Sequence, residues 1–194
     1  YIFFHLYRLD HIQGLFRIWA VPKNGDPSKG QFVPKDSALM ELQGRELLDS
    51  LIQTTDMLPI GETMGTIPDP IKKCLKEYGI CSLNIFRRAK YTKGNQSFIP
   101  SEKFPPLSLN SVSTHDIDTI YLWWKKQPEE ARKYAAFKGF LYTKTLTKNQ
   151  QLDILKEMHR SPSLFNINLL QEYLALTPHL TWDNPEDERI NYPG

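Results

Sequence analysis

Only two cysteines, Cys74 and Cys81, occur in the 194 residues. That is too few for a disulfide framework, and they read as reduced, packed thiols of a cytoplasmic protein. No apolar run approaches the roughly 20 residues that a membrane span requires. Charge of one sign is also scarce: 24 basic against 22 acidic residues leave a formal net charge of +2, with no basic block. Nucleic acid and membrane are therefore not expected partners. The opening Tyr1-Ile2-Phe3-Phe4-His5 has no basic n-region and no cleavage pattern, so it is not a signal peptide. There is no internal repeat, no low-complexity tract and no tight ligand spacing of the H-x-x-x-H kind. The chain opens on Tyr1 inside an apolar run and closes on Gly194 after Tyr192-Pro193, which reads as part of a longer protein.

What is present is globular: 40% hydrophobic and 24% charged residues, enough for one sizeable core. Tyr1 to Leu9 is rich in aromatic and branched residues and reads as a buried strand ending at Asp10. Lys23 to Lys35, with Gly25, Pro27, Gly30 and Pro34, reads as a loop. Arg45 to Thr54 has helical spacing, and Met57 to Ile60 is a short strand that delivers Glu62. Asp69 as cap, Pro70 at the first position and Gly79 at the end frame a helix with the stripe Ile71, Cys74, Leu75, Tyr78. Ile80 to Phe86 is a strand, Tyr91 to Pro106 a polar loop, and Leu107 to Val112 a strand leading to His115 and Asp116. Helical stretches follow at Asp118 to Lys126, Pro128 to Thr143 and Lys148 to His159, then a strand at Leu164 to Leu169. Alternating strands and helices predict an α/β fold with a parallel sheet. About five such steps are present, where a closed eight-stranded barrel takes ~250 residues. The chain thus reads as more than half of a TIM barrel, with an open doubly wound sheet as the structural alternative.

Three acids, Asp10, Glu62 and Asp116, stand where a strand runs out into a loop, the active-site face of a barrel. Any one of them alone is most simply a cap or a loop residue. Three at successive strand ends suit glycoside chemistry, in which two carboxyls about 5–5.5 Å apart serve as nucleophile and acid/base for retention. Arg8 lies two residues before Asp10, so on a strand both side chains share a face. A guanidinium there would hold Asp10 ionised, and a purely structural ion pair fits equally well. His11 and His115 neighbour carboxylates and are candidate donors to sugar hydroxyls. Together with Asp10, Glu62 and Asp116 they also make a passable divalent-metal set. Trp123 and Trp124 read as core, and Asp118 as a helix start rather than a catalyst.

Beyond these patterns, four segments resemble the motifs of the 4-α-glucanotransferases (amylomaltases, or disproportionating enzymes) of glycoside hydrolase family 77. Tyr7-Arg8-Leu9-Asp10-His11, with Gly14-Leu15-Phe16-Arg17-Ile18-Trp19 and Pro22, resembles the nucleophile strand. Ile60-Gly61-Glu62-Thr63-Met64-Gly65-Thr66-Ile67-Pro68 resembles the acid/base strand. Ser113-Thr114-His115-Asp116-Ile117-Asp118-Thr119, with Trp123-Trp124, is similar to the third-carboxylate segment, and Arg189-Ile190-Asn191-Tyr192-Pro193-Gly194 to a late substrate-contacting motif. They follow the family's order from one end of the chain to the other.

The resemblance implies an α/β fold: the C-terminal part of a (β/α)8 TIM barrel with family insertions, about strands 4 to 8. Residues 1–194 would then be a partial catalytic domain without the N-terminal strands, and inactive by itself. It implies α-1,4-glucan transfer through a covalent glycosyl-enzyme, on maltodextrins and glycogen or starch fragments, with no cofactor and no metal. By position Asp10 is nucleophile, Glu62 acid/base and Asp116 the transition-state stabiliser. Arg8, His11, His115 and Asn191 are further donor-site contacts, and Gly65 lets the backbone come close to sugar. Two departures stand out. Thr63 occupies a position where the family usually has Asp, and Ile12 and Gln13 differ in a tolerant loop. A metal-dependent hydrolase and an inactive glucan-binding relative remain the alternatives.

Overall fold

Each strand is short, and strands alternate with helical segments along the chain. In the computed structural model the described residues are 3–63, 65, 67–91, 97–177 and 179–192. They divide into two compact units, one up to Leu83 and one from Asn84.

In the first unit, β1 (Leu6–Leu9) pairs in parallel with β4 (Leu58–Gly61), register Leu6 to Leu58 and Leu9 to Gly61. The β4 strand pairs in turn with β5 (Cys81–Ile85), Ile60 opposite Cys81. The β1 strand is shorter than the Tyr1 to Leu9 run suggests. Phe3 and Phe4 lie outside it and are exposed, and Tyr1 and Ile2 fall outside the described residues. Between β1 and β4 lie the hairpin β2 (Ile18–Ala20) and β3 (Gln31–Val33), then helix α1 (Ser37–Gln53). The hairpin corrects the loop reading of Lys23 to Lys35. Its three-residue strands are held by the Trp19–Phe32 edge-to-face pair at 4.9 Å and by the Trp19 indole N–H donating to the Pro27 carbonyl at 3.0 Å. Helix α1 also begins earlier than Arg45, because the Asp36 carboxylate accepts from the Ala38 and Leu39 amides, both at 2.9 Å.

Helix α2 (Asp69–Glu77) follows β4 and ends before Gly79 at φ +65°. Its cap is Pro68, not Asp69. Asp69 sits one residue inside, where its charge favours the helix N-terminus and meets Lys72 at 3.0 Å. The stripe of α2 packs with Met40 and Leu48 of α1 on Ile12 and Phe16. Cys74 and Cys81 are buried free thiols.

In the second unit, β6 (Ser108–Ser111) pairs in parallel with β7 (Phe165–Asn166), Leu109 opposite Phe165. The β7 strand holds two of the six residues from Leu164 to Leu169, and α6 (Leu170–Leu174) begins after three further residues. Helix α3 (Ile120–Lys126) is capped by the Thr119 hydroxyl rather than by Asp118. Helix α4 (Pro128–Lys138) stops short of Thr143 at Gly139, φ +70°. Helix α5 (Lys148–Arg160) opens on a Thr147–Gln150 capping box. Trp123 and Trp124 are both core, where adjacency alone required only one. Their indole N–H groups donate to Glu130 and to the Thr143 carbonyl, each at 2.8 Å. Residues 92–96 of the Tyr91 to Pro106 loop fall outside the described residues, and Lys90 bridges Phe98 across it. No helix among the described residues is long and apolar enough to cross a membrane.

Gly44 of α1 carries the loop that follows Asp10. A Cβ there would sit 2.1 Å from the ring of fully buried Phe16. Alanine gains roughly 1 kcal/mol of helix propensity over glycine, but the ring has nowhere to go. Gly44→Ala is therefore expected to lower the unfolding free energy by about 1–3 kcal/mol, an overpacking cost. Denaturant unfolding checks it: an unchanged or raised midpoint would contradict this packing.

Candidate active site

The first cluster forms where β1 and β4 end together. Beyond the paired Leu9 and Gly61, the Glu62 amide donates to the Leu9 carbonyl at 2.9 Å, and the Ile12 amide to the Glu62 carbonyl at 3.3 Å. These bonds place Asp10 beside Glu62. Between them His11 adopts a left-handed conformation, φ +42° and ψ +56°. That conformation is unusual for a residue with a Cβ, and histidine is among the types that tolerate it. The chain turns there so that the His11 amide donates to Glu62 Oε2 at 2.8 Å. The backbone of His11 thus bonds Glu62, while its charge also bears on Asp10.

Arg8 spans both acids. One guanidinium nitrogen is 2.7 Å from Asp10 Oδ1 and the other 3.2 Å from Glu62 Oε2. The two carboxyls differ in environment: the Asp10 side chain is 74% exposed and that of Glu62 is 13% exposed. Hydrogen bonding with Glu62, then the charge and hydrogen bond of Arg8, hold the Asp10 carboxyl below its ordinary pKa. Desolvation of Asp10 opposes this. Asp10 is accordingly an ionised, accessible carboxylate next to a sheltered carboxyl. An exposed ion pair adds little to stability, so the consequence of Arg8 lies in protonation and orientation.

The residues after Glu62 explain two further motif positions. The Thr63 hydroxyl donates to the Leu83 carbonyl at 3.3 Å, so it is engaged with β5 rather than with Glu62. Gly65 stands at φ +89°, with nothing within 4 Å of where a Cβ would be. Its conformation favours glycine, and its surroundings are open. Met64 and Thr66 of the same motif lie outside the described residues.

The second cluster belongs to the second unit. After β6 the chain turns at Thr114, whose carbonyl accepts from the Ile117 amide at 3.2 Å, and presents His115 and Asp116. Asp116 uses both oxygens: Oδ2 lies 3.1 Å from His115 Nε2, and Oδ1 accepts from the Asn191 amide at 2.7 Å. The Asn191 backbone N–H donates to the His115 carbonyl at 3.0 Å, so a segment 75 residues away docks on this loop. Arg189 fixes that docking, donating to the Asn191 carbonyl at 3.0 Å and pairing with Asp118 at 3.0 Å. Lys126 also approaches Asp118, at 3.6 Å. Asp118 is thus an ion-pair anchor, a role that its place before a helix did not suggest. Pro193 and Gly194 of this motif lie outside the described residues.

The structure therefore brings Arg8, Asp10, His11 and Glu62 together in one unit, and His115, Asp116 and Asn191 in the other. Among the described residues no three His, Cys, Asp or Glu side chains gather as a metal-ligand set. The acids of each cluster are engaged by guanidinium, amide and imidazole donors instead. Sequence reasoning missed Arg189 and Lys126 as anchors, although Arg189 opens the late motif. It also missed Arg87 and Glu172, which nothing in their local sequence distinguishes.

The model of the family described as 4-alpha-glucanotransferase, glycoside hydrolase family 77, matches residues 2–194. A 4-alpha-glucanotransferase of Chlamydia trachomatis is 42% identical over 192 residues, covering 99% of this chain and 36% of the relative. One of Chlamydia muridarum is 44% identical with the same coverage. The chain thus spans about a third of the length of these relatives. Among solved structures, amylomaltase from Streptococcus agalactiae in complex with acarbose superposes with a TM-score of 0.68 at 21% identity, covering 97% of this chain and 35% of that one. Amylomaltase from Corynebacterium glutamicum gives 0.56 at 20% identity, covering 84% and 28%. These likenesses show a shared α/β fold.

The electrostatics of the first cluster give a titration that can be read directly. Replacing Arg8 with methionine keeps the length and removes the charge that helps hold Asp10 ionised. Arg8→Met is expected to move the Asp10 carboxyl pKa upward, so that the group protonates at higher pH than in the wild type. Isotope-edited carboxyl NMR against pH measures this. An unchanged or lowered Asp10 pKa would show that Arg8 does not act on it.

Proposed function

The chain belongs to the 4-alpha-glucanotransferase family, glycoside hydrolase family 77, and we propose that it is the catalytic part of an enzyme that moves α-1,4-glucan segments between maltodextrins. The observation that carries this reading is the Arg8 guanidinium shared between exposed Asp10 and sheltered Glu62, within the family's nucleophile and acid/base motifs. The acarbose bound to a structural relative supports an α-glucan as the ligand class. Maltodextrins and glycogen or starch fragments are the substrates this implies.

In the reaction, Asp10 attacks the anomeric carbon while Glu62 gives its proton to the glycosidic oxygen. The reducing-end portion of the donor leaves, and the glycosyl group stays as an ester on Asp10. The 4-hydroxyl of an acceptor glucan then gives its proton to Glu62 and takes the glycosyl group, which restores the Asp10 carboxylate. Two displacements at one carbon retain its configuration. Arg8 keeps Asp10 ionised before attack and orients both acids. Asp116, held by His115 and Asn191, grips donor-sugar hydroxyls as positive charge develops on the ring. His11 and Gly65 line the donor side. The chemistry uses no cofactor and no metal. Transfer outruns hydrolysis when acceptor subsites hold sugar and exclude water.

The chain supplies about strands 4 to 8 of a (β/α)8 barrel, and the remaining strands complete the donor-site wall in the full-length protein. The segment alone is accordingly inactive. The balanced charge and the two free thiols fit a cytoplasmic enzyme.

Incubating the full-length protein with maltotriose is expected to yield glucose together with longer maltodextrins. Asp10→Asn is expected to lower this turnover by at least about 10⁴-fold, as loss of a covalent nucleophile does, while glucan binding persists. Chromatography of the products checks both. Wild type that yields no longer maltodextrins, or a variant that keeps near-normal turnover, would defeat the proposal.

A further inference from the structure

The loop that carries His115 and Asp116 rests on an acid that the proposed reaction does not use. Glu172 of α6 is buried, 1% exposed, beneath the segment from Ser113 to Ile120. One oxygen of its carboxyl accepts from the Ser113 hydroxyl and from the Ile120 amide, the latter at 3.0 Å. Those donors are the two ends of the segment, so a single buried oxygen clasps both. The Glu172 backbone carbonyl accepts from Gln151 of α5 at 3.0 Å, which ties α6 down in turn. Arg87, itself buried and lying over Trp123, donates to the Asp118 carbonyl at 2.8 Å and steadies the middle of the same segment.

Burying a carboxyl is unfavourable unless its lone pairs are used. Here those of one oxygen are used on the two points that set where His115 and Asp116 emerge. Burial pushes the Glu172 pKa up, against the hydrogen bonds from Ser113 and Ile120 and the charge of Arg87. Its other oxygen has no hydrogen-bond partner among the described residues. The packing of α6 alone would be served by an apolar side chain. The clasp on Ser113 and Ile120 would not.

We propose that Glu172 is a positioning residue for Asp116, fixing through Ser113 and the Ile120 amide the loop that presents the His115–Asp116 pair. This rests on the role given above to Asp116. It predicts that loss of Glu172 acts on catalysis through Asp116 and not only through folding.

The test is a double-mutant cycle in the full-length protein, with maltotriose turnover and thermal unfolding measured for each variant. Glu172→Ala is expected to lower kcat about 10²-fold, the cost of a misplaced catalytic group, with KM changed much less. Glu172→Gln keeps an acceptor oxygen in place and is expected to retain kcat within about tenfold. In an Asp116→Asn background, adding Glu172→Ala is expected to cost less than about threefold more, since residues acting as a unit are not additive. If Glu172→Ala does not fold, Ser113→Ala removes one end of the clasp and takes its place in the cycle. An unchanged kcat for the alanine variant, or the same fold loss in both backgrounds, would overturn the positioning role. Asp116→Asn with wild-type turnover would instead overturn the reading of Asp116 on which it rests.

Discussion

The Arg8 guanidinium between Asp10 and Glu62 is the interaction on which the site of the first unit depends. Two carboxyls brought close together repel when both are ionised, and one tends to take up a proton. A cation reaching both offsets that repulsion, and it meets the two acids in different surroundings: Asp10 faces solvent and Glu62 does not. The exposed acid is held ionised, and the sheltered one is held in place by Arg8 and by the His11 amide. The roles proposed for the two, nucleophile and proton donor, call for such a difference in surroundings. It follows from where the two strand ends leave the side chains.

The backbone supplies the placement. Parallel pairing of β1 and β4 sets Leu9 beside Gly61, and the next amide-to-carbonyl bond carries the pairing one residue further, to Glu62. A Cβ on Gly61 would stand 2.6 Å from Ile12, so the strand end and the turn after Asp10 pack against each other there. Ile12 and Phe16 then anchor that turn in a core built from α1 and α2. The second unit follows the same plan with different parts. The β6 strand ends, a loop presents His115 and Asp116, and a buried acid beneath and a docked late segment above hold that loop.

Much of this was legible in the residues themselves. The two-residue spacing of Arg8 and Asp10 on an apolar strand put them on one face. The short run to Ile60, followed by a well-framed helix, put Glu62 at a strand end. Asn191 was accessible only through resemblance of the late motif, since no local pattern connects it to Asp116. The hairpin at Ile18 to Val33 was hidden because Pro22, Gly25, Pro27 and Gly30 punctuate the stretch and its strands are three residues long and mostly exposed. Helix α1 was read short because Leu39 and Leu42 of its first turns are exposed and its buried positions there are Met40 and Gly44, with the start set by the Asp36 cap. Glu172 was invisible for a deeper reason. It is one acid in a largely apolar run, Leu169-Leu170-Gln171-Glu172-Tyr173-Leu174, and its partners Ser113 and Ile120 lie more than fifty positions away. Burial of that kind is a property of the fold and leaves no mark on local sequence.

The central claim is that Asp10 is the group that receives the sugar and Glu62 the group that moves the proton. Trapping the intermediate tests it most directly. Full-length Glu62→Gln protein would be given a maltosyl donor with a fluoride leaving group, which departs without protonation, while the second step still lacks its base. The protein would then be digested and its peptides weighed. The account predicts a maltosyl adduct on the peptide containing Asp10. An adduct on another carboxylate, or unimpeded turnover with no adduct at all, would contradict it.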